Sequence, residues 1–204
     1  MNRRRFVTTL AGATLVWKAT MFEANAKSAG PVIVEAGRRV DAPDAETPRF
    51  PPSNVDKVQE RIRQLFAGEN PVAFVSSAAC GADLLALDVA ENMHVPRYVL
   101  LPSSPEEFRK SSVTDRPGDW GTLYDNVLKT AKIEVLTLPE GQEGYLQTNL
   151  KLLDRAEALA RERHTSTAAL VIWNEQSRGS DDVTAHFLEQ AKLRKIPVLV
   201  VSTL

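Results

Sequence analysis

One stretch of the sequence, Val72–Ala86 (VAFVSSAACGADLLA), decides the fold. It opens with a short apolar run, Val72–Val75, which is typical of a buried strand. The small residues Ser76–Gly81 then form a turn, and from about Ala82 the apolar positions recur at helical spacing. A buried strand that turns directly into a helix predicts a crossover unit of a parallel sheet.

The same alternation continues in both directions along the chain. Further apolar runs predict strands at Val32–Val34, Tyr98–Leu101, Ile133–Leu138, Ala168–Trp173 and Pro197–Val201. Helical patterns begin at Ser53 or Asn54, near Leu123, near Gly144 and near Asp181, and the stretch between Pro102 and Leu123 is interpreted as a polar loop. Strands that are apolar throughout indicate burial on both faces. The sequence therefore predicts an α/β domain, a three-layer αβα Rossmann-like fold with a mostly parallel sheet.

Residues 1–26 differ in character from residues 27–204, which we interpret as one Rossmann-like domain. Arg3-Arg4 precede Phe6, a short apolar stretch and the small-x-small sequence Ala24-Asn25-Ala26. This order is typical of an export signal of the twin-arginine type, which predicts a periplasmic or extracellular protein. The alternative is that Met21 is the true start, in which case the protein is cytoplasmic.

Composition excludes several classes of function. The net charge is −1 and no basic stripe is present, so we do not expect binding to duplex nucleic acid. The single cysteine and three scattered histidines exclude an intramolecular disulfide and argue against a metal site. The N-terminal apolar run is too short to predict a membrane span. Walker, nucleophile-elbow and dinucleotide-binding motifs are absent from the sequence. We predict no cofactor. The sequence does not decide whether the protein forms a homo-oligomer.

The turn after the second strand is the best candidate for a site, because ligands of parallel sheets bind at the carboxyl ends of the strands. Ser76 and Ser77 could donate hydrogen bonds to phosphate or ribose oxygens. Gly81 permits a tight entry into a helix whose first N–H groups attract phosphate. Asp83 could accept a hydrogen bond from a ribose hydroxyl. The alternative is a compact strand-to-helix turn in which Asp83 only favours the helix start.

The stretch Ser76–Ala86 resembles the Ser-Gly-Gly-Ala-x-Gly-Ala-Asp signature of the SLOG superfamily. This Rossmann-like group includes the lysine-decarboxylase-like "lonely guy" phosphoribohydrolases and the DNA-processing protein A family. The resemblance spans roughly Val32 to Val201. Matches to an uncharacterised bacterial subgroup lie at Gly37–Pro43, Pro48–Pro51, Val99–Pro102 with Glu107–Arg109, and Ser112-Val113 with Gly118–Trp120.

The resemblance implies a nucleotide-derived ligand held by the loops after the first and second strands and by a late glycine-containing turn. In the phosphoribohydrolases the late turn reads Pro-Gly-Gly-x-Gly-Thr and a catalytic glutamate follows. Here the equivalent stretch is Arg178–Thr184, with one glycine and no glutamate before Glu189. The predicted ligand-binding residues are Gly37, Arg38, Ser76, Ser77, Ala78, Gly81, Ala82, Asp83, Asp119, Gly179, Ser180 and Thr184.

Two further features have alternative interpretations. Arg38 and Arg39 could contact a phosphate, or could be surface arginines paired with Asp41 or Asp44. Asp119 and Trp120 could cover the pocket, with the indole stacked on a base, or Trp120 could anchor a loop.

Two functions follow from these features. The first hypothesis is a module that binds or senses a nucleotide or nucleotide-derived ligand without turnover. The alternative is a phosphoribohydrolase-like enzyme that cleaves an N-glycosidic bond. No catalytic residue is assigned from the sequence.

Overall fold

The computed structural model describes residues 29–204, which form one six-stranded sheet with helices on both faces. The strands are β1 (Val32–Gly37), β2 (Ala73–Ser76), β3 (Arg97–Leu101), β4 (Lys132–Val135), β5 (Thr167–Trp173) and β6 (Val198–Ser202). Their order is β4-β3-β2-β1-β5-β6, and every neighbouring pair is parallel. The predicted three-layer Rossmann-like fold is confirmed, and the sheet is parallel throughout.

Six helices connect the strands. They are α1 (Val55–Glu69), α2 (Ala82–Asn92), α3 (Pro105–Ser112), α4 (Trp120–Thr130), α5 (Gln142–Glu162) and α6 (Val183–Leu193). Helices α1 to α4 contribute to one apolar core, and α5 and α6 contribute to the other. None of these described helices is long and apolar enough to cross a membrane.

Alternation along each strand divides its side chains between the two cores. On β1, Ile33 faces the core of α1 and α2, whereas Val32 and Val34 face the core of α5. Both sets are fully buried. This burial on both faces explains why the strand sequences read as continuous apolar runs.

The chain reverses its direction of growth across the sheet at β1. Strands β2, β3 and β4 are added on one side of β1, and α5 then carries the chain back so that β5 and β6 are added on the other. The loops after β1 and β5 therefore diverge and leave a crevice at the carboxyl edge between them. Such a switch point is where ligands bind in open α/β sheets.

Two sequence-based expectations about elements are wrong. The stretch interpreted as a polar loop contains α3, whose start is fixed by a capping box between Ser104 and Glu107. Strand β4 ends at Val135 instead of Leu138, near Thr137 with a left-handed φ of 53°. All four residues of β4 are exposed, because it is an edge strand paired only with β3. The proposed targeting segment, residues 1–26, lies outside the described residues.

Candidate functional site

A cavity of about 560 Å³ lies at the switch point, at the carboxyl edge of the sheet. Its wall combines the end of β1 and the loop after it with residues of α2, α3, α5 and the start of α6. The volume is in the range of small-molecule sites. Its charged lining residues are Glu35, Arg38, Arg39, Asp41, Glu46, Arg49, Asp83, Arg116 and Arg178.

The turn between β2 and α2 closes against the end of β1 at very short range. A Cβ added to Gly37 would lie 2.3 Å from the Cβ of Ala82, so only glycine fits there. Gly81 has a φ of 96°, and its Cα faces the backbone of Arg38 and Val40. Gly81 and Ala82, which belong to the stretch that resembles the SLOG signature, are thus required for the turn after β2 to pack against the end of β1.

The N–H groups of this turn are largely bonded within the protein. The carboxylate of Asp83 accepts from the N–H of Ala78 at 3.3 Å and of Ala79 at 3.1 Å. The N–H of Cys80 donates to Ser112 O, and that of Ala82 donates to Arg38 O. The N–H groups of Ala78, Ala79, Cys80 and Ala82 are therefore already hydrogen-bonded, and the positive charge of the cavity lies on arginine side chains.

Two carboxyl groups of the cavity wall, Glu35 and Asp83, influence each other electrostatically. Glu35 is the fourth residue of β1 and is fully buried, and its Oε2 accepts a 2.8 Å hydrogen bond from Ser76 Oγ. Burial, together with the charge of Asp83, raises the pKa of Glu35 well above its ordinary value despite the Ser76 hydrogen bond. Burial likewise raises the pKa of Asp83 to about 6, although the Ala79 and Ala78 N–H groups oppose this.

Arg38 is held in place by a buried ion pair with Asp182. Its Nη1 and Nη2 atoms lie 2.6 and 2.7 Å from the two oxygens of Asp182. Nη2 also donates to Gln176 O, and the guanidinium lies 5.5 Å from the centre of the Trp173 ring. Burial alone would raise the pKa of Asp182, but hydrogen bonds from Arg38 and from backbone N–H groups lower it to about 2. This pair ties the loop after β1 to the start of α6.

Four further arginines line the cavity with fewer partners. Arg39 and Arg116 share the carboxylate of Asp115, and Arg39 Nε also lies 3.4 Å from the Cys80 sulfur. Burial and the charges of neighbouring arginines, opposed by Asp182, lower the pKa of Arg178. No ion pair is formed by Arg49 within residues 29–204. Neither of the carboxylates considered from the sequence, Asp41 and Asp44, pairs with Arg38 or Arg39.

Three of the six buried side-chain N and O atoms without a hydrogen-bond partner in the described part of the chain lie on this wall. They are Glu35 Oε1, Arg49 Nη1 and Arg116 Nε. A buried polar atom without a partner is costly, and binding sites are one of the places where proteins keep such atoms. The arrangement can accept an anion at the arginines and a polar group at Glu35.

The predicted ligand-binding residues are only partly brought together. Those that line the cavity are Gly37, Arg38, Ser77, Asp83 and Thr184. Those that lie behind its wall or support the turn are Ser76, Ala78, Gly81 and Ala82. Those that the structure places away from the wall are Asp119, Gly179 and Ser180, all of them exposed.

Of the two interpretations of Trp120, the structure supports the one in which it anchors a loop. Its side chain is buried in the core of α1 to α4, and its indole N–H donates a 2.8 Å hydrogen bond to Pro117 O. It does not line the cavity. The aromatic side chains of the wall are those of Phe108 and Tyr145 instead.

Sequence reasoning missed Glu35, Arg49, Arg116 and Tyr145. Glu35 has a local signal, since it is a single acidic residue near the end of an apolar strand. Arg49 and Arg116 lie in loops, and no sequence spacing relates them to β1. Their convergence follows from the path of the chain and not from any local pattern.

No protein-family model and no curated protein matches the sequence. Among solved structures, the chain is similar to the molybdenum cofactor binding protein of Rippkaea orientalis, with a TM-score of 0.37 and 16% identity over 85% of this chain and 91% of that one. It is also similar to DNA processing protein A of Helicobacter pylori, with a TM-score of 0.37 and 14% identity over 83% and 75% of the two chains.

A third similar structure is the Moco Carrier Protein of Chlamydomonas reinhardtii, with a TM-score of 0.32 and 13% identity over 85% and 91% of the chains. The Rossmann-like fold itself is established by the parallel sheet and its two helical layers.

Proposed function

We propose that this domain binds a nucleotide-derived small molecule in the cavity at the switch point, with the phosphate of the ligand on the arginines and its base or sugar on the inner wall. The observation that carries the proposal is the set of arginines without full partners. Arg49 has a buried N–H group that bonds to nothing, and so does Arg116. Phosphate oxygens are strong acceptors for such groups, and a guanidinium can bind two of them at once.

The wall also offers surface for the uncharged part of a nucleotide. Phe108 and Leu152 are apolar, and the Tyr145 hydroxyl lies 3.0 Å from Ser112 Oγ. Gly37 and Ala79 line the wall between these side chains and the arginines. Mostly apolar walls with a few placed polar groups are typical of small-molecule sites.

The first experiment is a thermal-shift screen of the full chain against adenosine monophosphate, cyclic nucleotides, NAD and ADP-ribose. Adenosine and ribose 5-phosphate are included as probes that lack the phosphate and the base, respectively. We expect a saturable rise in the unfolding temperature with a phosphate-bearing nucleotide and a much smaller rise with adenosine. No rise with any of these probes would reject the proposed ligand class.

Variants test whether the binding occurs in this cavity. Arg49→Gln and Arg116→Gln should each weaken binding about tenfold or more, since each removes a charge-assisted contact. The matched control is Arg109→Gln, because Arg109 bonds to Asp125 on the surface and lies outside the cavity wall. Equal effects of all three substitutions would place the binding elsewhere.

A second candidate function is cleavage of a nucleotide N-glycosidic bond, and the pair of carboxyl groups favours it. A protonated carboxyl can donate its proton to the leaving base while the bond from C1′ to nitrogen breaks. Water then adds to C1′ and returns a proton to the carboxylate. Glu35 and Asp83 supply two carboxyl groups whose pKa values are both raised, that of Asp83 to about 6.

Mass spectrometry of the bound nucleotide distinguishes the two functions. An unchanged nucleotide after prolonged incubation supports binding or sensing. Release of the free base, lost in Asp83→Asn, supports the enzyme.

A further inference from the structure

We propose that Glu35 keeps its proton at neutral pH and donates it in a hydrogen bond to an uncharged acceptor of the ligand, such as a ring nitrogen or carbonyl of the base. This inference rests on the proposed function, since it concerns the ligand of the same cavity. In this proposal Glu35, a residue of the central sheet, recognises the base of the nucleotide. The arginines recognise the phosphate end.

The geometry of Glu35 gives its two oxygens different roles. Oε2 is bonded to Ser76 Oγ at 2.8 Å, whereas Oε1 is buried and has no partner among the described residues. Oε1 is turned toward the carboxyl end of β1, because a Cβ built on Gly37 would lie 2.8 Å from it. Gly37 lines the cavity, as does Glu35 itself. A ligand acceptor that reaches this end of β1 would satisfy an atom that the protein leaves unbonded.

The groups around Glu35 favour its neutral form. From β2 it faces the uncharged Ser76, and from α2 it faces the carboxyl group of Asp83, whose charge disfavours a second negative charge. Arg39 lowers the pKa of Asp83, and the other arginines of the wall, Arg38, Arg49, Arg116 and Arg178, line the same cavity. On the other face of β1, helix α5 contributes Thr148 and Asn149 to the cavity wall, and neither is charged.

Infrared difference spectroscopy of the full chain tests the protonation without any ligand. At pH 7 the wild type should show the carbonyl stretching band of a protonated carboxylic acid, and Glu35→Gln should lose most of it, the remainder being the small protonated fraction of Asp83, whose pKa is about 6. The matched control is Glu46→Gln, because Glu46 is an exposed glutamate on the same wall and its replacement should leave the band intact. A wild type without the band at pH 7 would overturn the proposal.

Asp83→Asn provides a second test that does not depend on the folding of Glu35→Gln. Removing the neighbouring charge should make Glu35 easier to ionise, so the band should disappear at a lower pH than in the wild type. A band that titrates at the same pH in both proteins would contradict the coupling of the two carboxyl groups.

Calorimetric titration with adenosine monophosphate tests the contact with the base. Well above its second pKa of about 6 the phosphate is almost fully ionised, so between about pH 7.5 and pH 9 its own titration contributes little. We expect the wild-type affinity to fall about tenfold per pH unit once Glu35 ionises, and the affinity of Glu35→Gln to stay constant, because the amide still donates. Ribose 5-phosphate, which has no base, should bind without this pH dependence.

The infrared and calorimetric experiments together distinguish failure of this inference from failure of the proposed function. Absence of adenosine monophosphate binding at every pH would count against the proposed function, while the infrared band would still report the neutral Glu35. Binding of constant affinity across a pH range in which the band disappears would reject the contact with Glu35.

Discussion

Glu35 and Asp182 are both buried carboxyl groups at the cavity, yet their surroundings shift their pKa values in opposite directions. Burial disfavours the charge of either group. The negative charge of Asp182 is stabilised by Arg38 and by several backbone N–H groups. A negative charge on Glu35 would be stabilised only by one serine hydroxyl and opposed by a neighbouring carboxyl group. One residue therefore serves as a fixed anion of the framework, and the other is much easier to protonate.

Replacement of Asp182 should strongly destabilise the domain. Asp182→Asn leaves the Arg38 guanidinium buried without its counter-ion, and we expect a loss of about 3 kcal/mol or more in the free energy of unfolding. Urea denaturation at pH 7 measures the loss. Asp181→Asn is the matched control, because Asp181 is exposed and forms no ion pair with a described residue, and it should change stability by less than about 0.5 kcal/mol. Similar losses in both variants would mean that the buried pair contributes little.

The raised pKa of Asp83 should make the domain less stable as pH rises. The folded-state pKa of about 6 exceeds the unfolded value, so the favourable contribution is complete below about pH 4 and is lost as pH rises through about 6. Between pH 5 and 8 we expect Asp83 to account for a loss of about 1.5 kcal/mol, and Glu35 changes stability in the same direction.

Urea denaturation at pH 5 and pH 8 measures this effect of Asp83. Asp83→Asn should reduce the loss between the two values. Asp56→Asn, at an exposed position of α1, should leave it unchanged. A wild type that is more stable at pH 8 than at pH 5 would contradict the assignment.

At the level of elements, the turn between β2 and α2 depends on the backbone of Gly81. Its φ of 96° is unfavourable for other residues, and an added Cβ would lie 2.6 Å from Val40 N and 2.8 Å from Arg38 O. Those contacts are with backbone atoms, which cannot rotate away. The turn is therefore matched to the loop after β1 as well as to its own conformation.

We expect Gly81→Ala to cost about 3 kcal/mol, from backbone strain together with displacement of the loop after β1. Gly141→Ala separates the two causes, because Gly141 has a φ of 78° but no neighbour within 4 Å of the added Cβ. It should cost only about 1 kcal/mol. Thermal unfolding of both variants measures the difference, and equal costs would show that the contact with β1 is unimportant.

Helix α3 illustrates why part of the site was not visible in the sequence. Its eight residues include few apolar positions, so its periodicity is weak, and its start depends on the capping box of Ser104 and Glu107. The buried strands and long helices gave strong patterns and were predicted to within a few residues. The wall residues Phe108 and Ser112 belong to the weakly patterned element.

At the scale of the whole molecule, the fold could be predicted because each central strand is buried on both faces by helices. The convergence of Glu35, Arg49 and Arg116 could not, because it depends on which strands become neighbours. The strand β1 lies between β2 and β5, which follow it by about 40 and 135 residues along the chain. Local sequence patterns contain no information about contacts at such separations.

The position of a strand in the sheet should also determine how firmly it is held. Strands β2 and β3 are wholly buried, whereas every residue of β4 is exposed, including Ile133 at 41% and Val135 at 45%. Local opening of an edge strand exposes little additional apolar surface, so it requires much less free energy than global unfolding. The apolar pattern alone would assign equal stability to all of these strands.

Hydrogen exchange of the full chain, followed by mass spectrometry, tests this gradient. Peptides covering β1, β2 and β5 should exchange only through global unfolding, and their protection should fall together with overall stability in Asp182→Asn. Peptides covering β4 should exchange at least about tenfold faster and should change little in that variant, because they open without unfolding the core. Protection of β4 equal to that of β1 would contradict this gradient and would mean that β4 is covered in solution by another surface.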